Sequence, residues 1–356
     1  MVSKPPTEAR IAREIEKVLV DRLPSTWKVG SRVTGVPDEV DLIIGVTPPT
    51  GATTNLAVEI KRTIEPRSIP EVATQAASLV ESAGIDATPV VAAGYLSPRS
   101  RQLLEDFGVS YLDTTGNIRI DAPSAGLFVQ TDGADKDPWP QDRNLQTLRG
   151  RGAARTLRAI VDTAPPFGVR ELAAKTNTSP ATVSRVLELL QTESIVTRQP
   201  RGPVLAVDWQ GAIRRWAEDY DQNASNVPNT YLAPRGIPFV EDKLKSFRRL
   251  RYAATGAFAA QRFNPIAPAR TAALYVDDVV KTADRLALRE VDGGANVVLL
   301  EPFDPVVFDR TIDRDGLRCV APTQLAADLL TGPGREPSQG EEILAWMKEN
   351  EDVWRT

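Results

Sequence analysis

Apolar residues in the middle of the chain recur at the spacing of an amphipathic helix. Val183, Val186, Leu187 and Leu190 lie at intervals of three, four and seven residues. Because such positions share one side of an α-helix, they predict a single buried stripe along a helix over Ala181–Thr192. The polar residues between them are then expected to face away from the core.

A turn and two further helices are predicted before this one. Ser179 is a favourable N-cap, and Pro180 suits the first helical position, where its missing N–H has no partner to lose. The turn is therefore expected over Asn177–Ser179. Earlier apolar positions predict helices over Leu145–Val161 and Val169–Thr176, separated by a Pro-Pro-Phe-Gly stretch that stops the first of them.

Two short β-branched runs follow the helices. Ile195–Arg198 and Val204–Val207 predict strands that are joined by the loop Gln199–Pro203. Three helices and a hairpin in this order resemble the winged helix-turn-helix of bacterial transcription regulators. The resemblance implies double-stranded DNA as the partner, read by the third helix in the major groove. A winged helix that serves only protein contact or dimerisation is the alternative.

The charge distribution favours the DNA-binding interpretation. The chain carries a net charge of −4, whereas the segment 143–215 holds twelve basic and five acidic residues, which gives +7 and leaves −11 elsewhere. Clustered cations release counterions from DNA phosphates whatever the total charge of the protein. The resemblance and the charge together predict the following DNA contacts: Thr182, Ser184 and Arg185 to bases, Arg151, Arg155, Arg198 and Arg201 to phosphates, and Arg170 beside them.

The amino-terminal third has the pattern of an α/β unit. Glu8–Leu23 predicts an amphipathic helix, and a hairpin is expected to join a strand over Val40–Val46 to a second over Asn55–Lys61. Because side chains alternate along a strand, Glu59 and Lys61 should share one face. A solvated strand face is the plain alternative for this pair.

Asp41, Glu59 and Lys61 resemble the PD-(D/E)XK motif of restriction-endonuclease-like nucleases. The resemblance implies that Asp41 and Glu59 hold Mg²⁺ and that Lys61 orients the attacking water. It also implies Glu14 as the helix acid and Gln75, on a helix over residues 69–83, as the accessory glutamine. The implied activity is a Mg²⁺-dependent endonuclease, and a binding platform that does not cleave is equally open.

A nucleotidyltransferase is the rival interpretation of this third. Gly30-Ser31 followed by Glu39 and Asp41 is similar to its glycine-serine and paired-acid signature. The spacing is short, however, and Ile43 stands where a second aspartate would be needed. The nuclease interpretation is therefore preferred.

The carboxy-terminal third predicts another α/β unit after a linker over Gln222–Asn229. Strands are expected over Thr271–Val276 and Asn296–Leu300, with a helix over Val279–Leu286 between them. Asp304 is expected at the surface. A winged helix followed by such a unit is similar to abortive-infection antitoxins of the AbiEi group, which implies transcriptional autoregulation or a partner protein encoded nearby.

Composition limits the chemistry and suggests the organisation. The sequence has no histidine and one cysteine, so histidine-based catalysis and multi-cysteine zinc sites are excluded. The length of 356 residues suggests two or three domains. The predicted elements favour an α/β multidomain protein with domains over 1–135, 143–220 and 230–356. A cytoplasmic, nucleoid-associated location without membrane contact is expected, with a homodimer as a further possibility because palindromic DNA sites pair with two-fold symmetric proteins.

Overall fold

The chain divides into two compact units, the first formed by Met1–Asn144 with Thr192–Ser194 and the second by Leu145–Gln191 with Ile195–Thr356. Among the residues described here, no helix is both long and apolar enough to cross a bilayer. The computed structural model describes residues 5–32, 41–49, 51–83, 86–123, 126–139, 147–200, 202–247, 250–264, 269–291 and 293–356.

The described part of the first unit is a seven-stranded sheet in which the strands follow chain order. The hairpins at both ends are antiparallel, and the central strands Thr54–Lys61, Ala87–Ala93 and Ser110–Asp113 run parallel. Its elements are α1 (Glu8–Arg22), β1 (Lys28–Arg32), β2 (Leu42–Thr47), β3 (Thr54–Lys61), α2 (Ile69–Ala83), β4 (Ala87–Ala93), α3 (Pro98–Asp106), β5 (Ser110–Asp113), β6 (Ile118–Ala122) and β7 (Leu127–Thr131).

Helices cover both faces of this sheet because its central strands are apolar on both sides. Ile11, Ile15 and Leu19 of α1 pack on one face, against a cluster that includes Val58 and Ile60 of β3. A second cluster from α2 and α3 packs on the other face. The polar residues at the end of β3 therefore belong to a sheet that helices cover on both faces.

The second unit begins with three helices, a hairpin and a fourth helix. The third helix keeps the predicted extent to within one residue, and the hairpin strands keep theirs to within one residue as well. The elements are α4 (Arg151–Asp162), α5 (Val169–Thr176), α6 (Pro180–Thr192), β8 (Val196–Arg198), β9 (Val204–Val207) and α7 (Trp209–Ala217).

A second seven-stranded sheet, mixed in direction, occupies the rest of the described second unit. The elements are α8 (Gln222–Ser225), β10 (Val227–Leu232), α9 (Gly236–Ser246), β11 (Tyr252–Thr255), α10 (Gly256–Ala260), β12 (Ala272–Val276), α11 (Val279–Leu286), β13 (Arg289–Glu290), β14 (Val297–Glu301), β15 (Ile312–Arg314), β16 (Leu317–Cys319), α12 (Pro322–Leu330), α13 (Glu336–Glu349) and α14 (Glu351–Trp354). The strand order in the sheet is β13-β10-β14-β12-β11-β16-β15.

The segment expected as a linker is an integral part of this sheet, so that prediction is wrong. Val227 of β10 pairs with Glu301 of β14, in an antiparallel ladder that continues to Tyr231 opposite Val297. The winged helix and the sheet also share one hydrophobic core, to which α7 contributes Trp216. The composition of this segment does not distinguish a strand from a linker, because Asn and Pro occur in outer strands as well as in loops.

Candidate nucleic-acid interface

Helix α6 buries the apolar stripe that its sequence predicts. Val183, Val186, Leu187 and Leu190 are between 0% and 3% exposed. Since these residues fix the rotation of the helix, the side chains between them point away from the core. Arg185 is exposed, and its Nε donates to the carbonyl of Ala181 one turn earlier at 3.2 Å.

The start of α6 is fixed by two local features. Asn177 ends α5 in the left-handed conformation (φ 48°), which turns the chain sharply into the next helix. Ser179 then accepts a hydrogen bond from the backbone N–H of Thr182 at 3.2 Å. The Thr182 hydroxyl lies 3.0 Å from the Ser179 hydroxyl, so this predicted base contact also takes part in capping.

Helix α4 supports the same turn through a close approach at Gly152. A Cβ atom built at Gly152 would lie 3.2 Å from Cγ2 of Thr182 and 3.4 Å from Cγ2 of Thr178. Glycine therefore allows α4 to pack against the residues that begin α6. No local pattern predicts this contact, because an isolated glycine in a helical pattern has several meanings.

Strands β8 and β9 form the predicted wing. The hairpin closes through hydrogen bonds from Gln199 N to Pro203 O at 3.1 Å and from Gly202 N to Gln199 O at 2.9 Å. Phe167 in the α4–α5 connection adds a bridge to Val204. Arg198 is half-buried at the base of the loop, whereas Arg201 lies outside the described residues.

The basic residues of α4 face a different neighbour. Nε of Arg151 donates to the carbonyl of Phe303 at 2.9 Å, and Arg155 pairs with Asp304 at 2.9 Å. The hydrogen bonds to Asp304 raise the pKa of the Arg155 guanidinium above its ordinary value. Two arginines predicted to contact phosphates are therefore held by carbonyl and carboxylate groups of the same unit.

Asp304 is buried, so its prediction as a surface acid is wrong. Its exposed fraction is 0%, and besides Arg155 it accepts the backbone N–H of Val306 at 2.9 Å. In the sequence, an aspartate followed by a proline is typical of a loop. The packing of α4 against this loop brings Arg155 to Asp304, and this cation offsets the cost of burying the carboxylate charge.

Residues 153–200 match the family model of the IclR helix-turn-helix domain. The match covers α4 from its third residue, α5, α6 and the first strand of the wing. It supports a DNA-binding function and a role in transcription regulation. No curated protein and no solved structure matches the chain with significant similarity.

The IclR-type helix-turn-helix leaves several basic side chains outside its core. Arg170 of α5 is exposed and forms no ion pair with another residue that the structure describes. Lys175, at the end of the same helix, donates to the Thr163 hydroxyl at 2.6 Å. Ser184 is half-buried on the outer side of α6. Together with Arg185 and Arg198, these residues give the motif its outward-facing polar and cationic surface.

A second polar cluster lies at the end of β3 in the first unit. Glu59 is 4% exposed and accepts a hydrogen bond from Lys61 Nζ at 2.5 Å, so its alternative prediction as a solvated residue is wrong. Asp41 accepts the backbone N–H of Ile60 at 2.7 Å. The hydrogen bond to Glu59 raises the pKa of Lys61, and the charges of Glu59, Asp41 and Glu8 add to the effect.

The other residues of the predicted nuclease motif have different surroundings. Glu14 pairs with Arg10 at 2.6 Å, and Gln75 is exposed on α2. Glu8, which no sequence motif selects, is an acid of α1 whose negative charge contributes to the raised pKa of Lys61. Glu8 lies six residues before Glu14 in the same helix, and the sequence pattern does not distinguish the two acids. Residues 33–40, which hold Glu39 of the nucleotidyltransferase signature, lie outside the described residues.

The donor set at this cluster suits magnesium only in part. Magnesium commonly takes one or two carboxylates and completes its shell with water and substrate phosphates. Asp41 and Glu59 would supply two carboxylates, each already engaged with an N–H donor. Across the described ranges, no group of three or more acidic or cysteine side chains has the spacing of a metal site. Magnesium binding here stays a prediction.

Proposed function

We propose that this protein is a sequence-selective regulator that reads double-stranded DNA with α6 in the major groove. One observation carries the proposal: burial of the stripe from Val183 to Leu190 leaves Ser184 and Arg185 outside the core, in the amino-terminal half of the helix. Recognition helices present that half to base edges. Arg185 would donate to guanine, and Ser184 and Thr182 would contact neighbouring bases.

Phosphate contacts would surround this helix. Arg170 of α5, Arg198 of the wing and Arg201 in the wing loop are the proposed partners, with Arg151 beside them. We leave Arg155 out, because a phosphate would have to displace the carboxylate of Asp304. These contacts would position the helix without reading sequence.

The salt dependence of binding tests this proposal. A duplex library would first be selected on the full chain, and the affinity for a selected duplex would then be measured by fluorescence anisotropy between about 50 and 200 mM KCl. Each neutralised phosphate contributes about −0.9 to the slope of log K against log salt. Arg198→Gln should reduce the slope by about one contact, whereas Arg289→Gln, an exposed arginine in β13, should not. A flat salt response, or no selected duplex, would reject the proposal.

A Mg²⁺-dependent endonuclease is the second candidate, favoured by the cluster of Asp41, Glu59 and Lys61. Magnesium held there would activate a water molecule for attack on a phosphodiester. Lys61 keeps its positive charge at neutral pH, since its pKa is raised, and would orient that water or the scissile phosphate.

The plasmid-nicking test separates this candidate from a binding platform. Supercoiled plasmid would be incubated with the protein and Mg²⁺ or Mn²⁺, beside the variants Lys61→Ala and Lys17→Ala, the latter an exposed lysine of α1. Nicking by the natural protein and the Lys17→Ala control, lost in Lys61→Ala, supports the nuclease. Equal nicking by all three, or by none, removes it.

Two further partners stay predictions. A homodimer would suit palindromic DNA, and light scattering coupled to size exclusion measures its mass. A partner protein encoded nearby would follow from the likeness to AbiEi antitoxins, and affinity purification from the native host with mass spectrometry tests for it. An antitoxin-like role predicts a stoichiometric partner there, and recovery of the chain alone would count against that role.

A further inference from the structure

A cleft in the second unit lies directly behind the turn that begins the recognition helix. Its volume is about 590 Å³. Three segments line it: α4, the end of α5 with the turn that follows, and the loop around Asp304 together with the short helix Pro305–Phe308 and Arg310. Volumes of this size accommodate small organic ligands.

Among the described residues, two of the four cations that line the cleft have no carboxylate partner. Arg155 is neutralised by Asp304, and Arg158 pairs with Asp162 at 3.2 Å. Lys175 donates to a hydroxyl, that of Thr163. In the part of the chain that the structure describes, the remaining cation, Arg310, is held by uncharged oxygens only.

Arg310 is already oriented by these uncharged partners. Its Nη1 donates to the carbonyl of Asp162 at 2.7 Å and to the hydroxyl of Thr356 at 3.0 Å, and its Nη2 donates to the carbonyl of Trp354 at 2.8 Å. These bonds hold the guanidinium without cancelling its charge, so less conformational entropy is lost when a ligand binds. Asp309, which precedes Arg310 and also lines the cleft, is exposed, and its backbone carbonyl accepts a hydrogen bond from Arg158.

Three aspartates also line the cleft: Asp162 and Asp304 pair with Arg158 and Arg155, and Asp309 is exposed. A further part of the lining is apolar. Ala159 of α4 and the residues Pro305, Val306 and Phe308 of the short helix contribute carbon surface. A ligand that matches both parts has at least one carboxylate or phosphate group and a short hydrocarbon portion. A bulk anion such as chloride would satisfy the charge and leave the apolar wall uncovered.

We propose that this cleft binds a small organic anion, held by Lys175 and Arg310, and that its occupancy changes the affinity of α6 for DNA. The regulatory half of this inference rests on the proposed function. Lys175, Thr176 and Asn177 line the cleft, and Asn177 is the left-handed residue that directs the chain towards Ser179 and α6. A ligand shifts the DNA-binding equilibrium by the difference in its affinity for the two states of this turn.

Direct binding to the DNA-free full chain is the first test. Isothermal titration calorimetry at constant ionic strength would use succinate, citrate and inorganic phosphate as anionic probes, with succinamide as the uncharged counterpart of succinate. We expect binding of at least one anion and none of succinamide. Loss of a charge-assisted hydrogen bond should weaken that binding about ten-fold or more in Lys175→Gln and in Arg310→Gln.

Controls keep this test independent of folding. Lys175→Arg retains the charge and should retain binding, and Lys348→Gln, an exposed lysine of α13, should bind as the natural protein does. Arg310 donates to two backbone carbonyls and one hydroxyl, so Arg310→Gln is compared only if its melting temperature equals that of the natural protein. If the melting temperature differs, the test rests on Lys175→Gln. No binding of any anion, or equal binding by Lys175→Gln, overturns the proposed site.

The second test addresses regulation. The affinity for a selected duplex would be measured with and without a saturating amount of the bound anion, and we expect a change of about five-fold or more. Anion binding without such a change overturns the regulatory half alone. Anion binding by a protein that binds no duplex would leave the site standing and reject the proposed function.

Discussion

The guanidinium group of Arg155 reaches the buried carboxylate of Asp304 across 149 residues of sequence, at 2.9 Å. The arginine side chain is 31% exposed and the aspartate side chain 0%. Asp304 also caps the short helix that follows it, through the N–H of Val306. This pair joins α4 of the helix-turn-helix to the α/β part of the same unit and removes one cation from the surface available to DNA.

Replacing Asp304 should destabilise the second unit. Asp304→Ala removes the ion pair and the cap together, and the partly exposed Arg155 can rehydrate, so we expect a loss of about 1–3 kcal/mol. Urea unfolding followed by tryptophan fluorescence measures it. Asp309→Ala, at an exposed acid nearby, should change stability by less than about 0.5 kcal/mol. Equal effects of the two variants would contradict the role given to the pair.

Crowding at Gly152 should disturb the start of the recognition helix. Gly152→Val adds methyl groups where a Cβ alone already meets Thr182 at 3.2 Å, so we expect about 1–3 kcal/mol of destabilisation and weaker DNA binding. Gly293, where a Cβ would meet nothing within 4 Å, supplies the control Gly293→Ala. Stability and anisotropy titrations should both separate the two variants. A Gly152→Val protein that binds DNA normally would show that α4 does not position α6.

Arg185 should carry sequence discrimination. A bidentate contact to a base contributes about 1–3 kcal/mol, so Arg185→Ala should lower the affinity for the selected duplex about 10- to 100-fold and relax selectivity at one base position. The exposed control Arg289→Ala should leave both quantities unchanged. Selection repeated on the variant provides the measurement. A uniform loss over all duplexes would instead assign Arg185 to phosphate contact.

Asp328 should make stability fall as pH rises. It is fully buried, and desolvation raises its pKa above the ordinary value. A raised pKa in the folded state means that its contribution is largest below the unfolded value near 3.8 and declines as pH passes upward through the folded value. The neutral variant Asp328→Asn lacks this decline.

The comparison isolates this residue from all other carboxyl groups. Free energies of unfolding of the natural protein and of Asp328→Asn would be measured by urea titration from pH 4 to pH 8. We expect the difference to shift in favour of the variant with increasing pH. Hydrogen bonds from Tyr220 at 2.7 Å and Thr255 at 2.5 Å lower the pKa of Asp328 and oppose the effect of burial. A pH-independent difference would show that these bonds cancel it.

Local sequence patterns determined the elements of the reading motif. The stripe of α6, the turn before it and both wing strands follow from residues within a few positions of one another, because helix periodicity and capping are local. Val169–Thr176 was predicted with both of its ends, since the Pro–Pro stretch and Asn177 mark them. The pairing of Glu59 with Lys61 likewise follows from alternation along one strand.

Only the tertiary structure decided which groups hold the basic residues of α4. The sequence counts Arg151 and Arg155 with the other cations of the basic segment, yet their partners Phe303 and Asp304 lie some 150 positions away. A side chain's partner depends on how elements pack, and long-range packing leaves no local period in the sequence. For the same reason the sequence assigned Gln222–Asn229 to a linker, although β10 pairs within the sheet, and gave no hint of the cleft that Lys175 and Arg310 share.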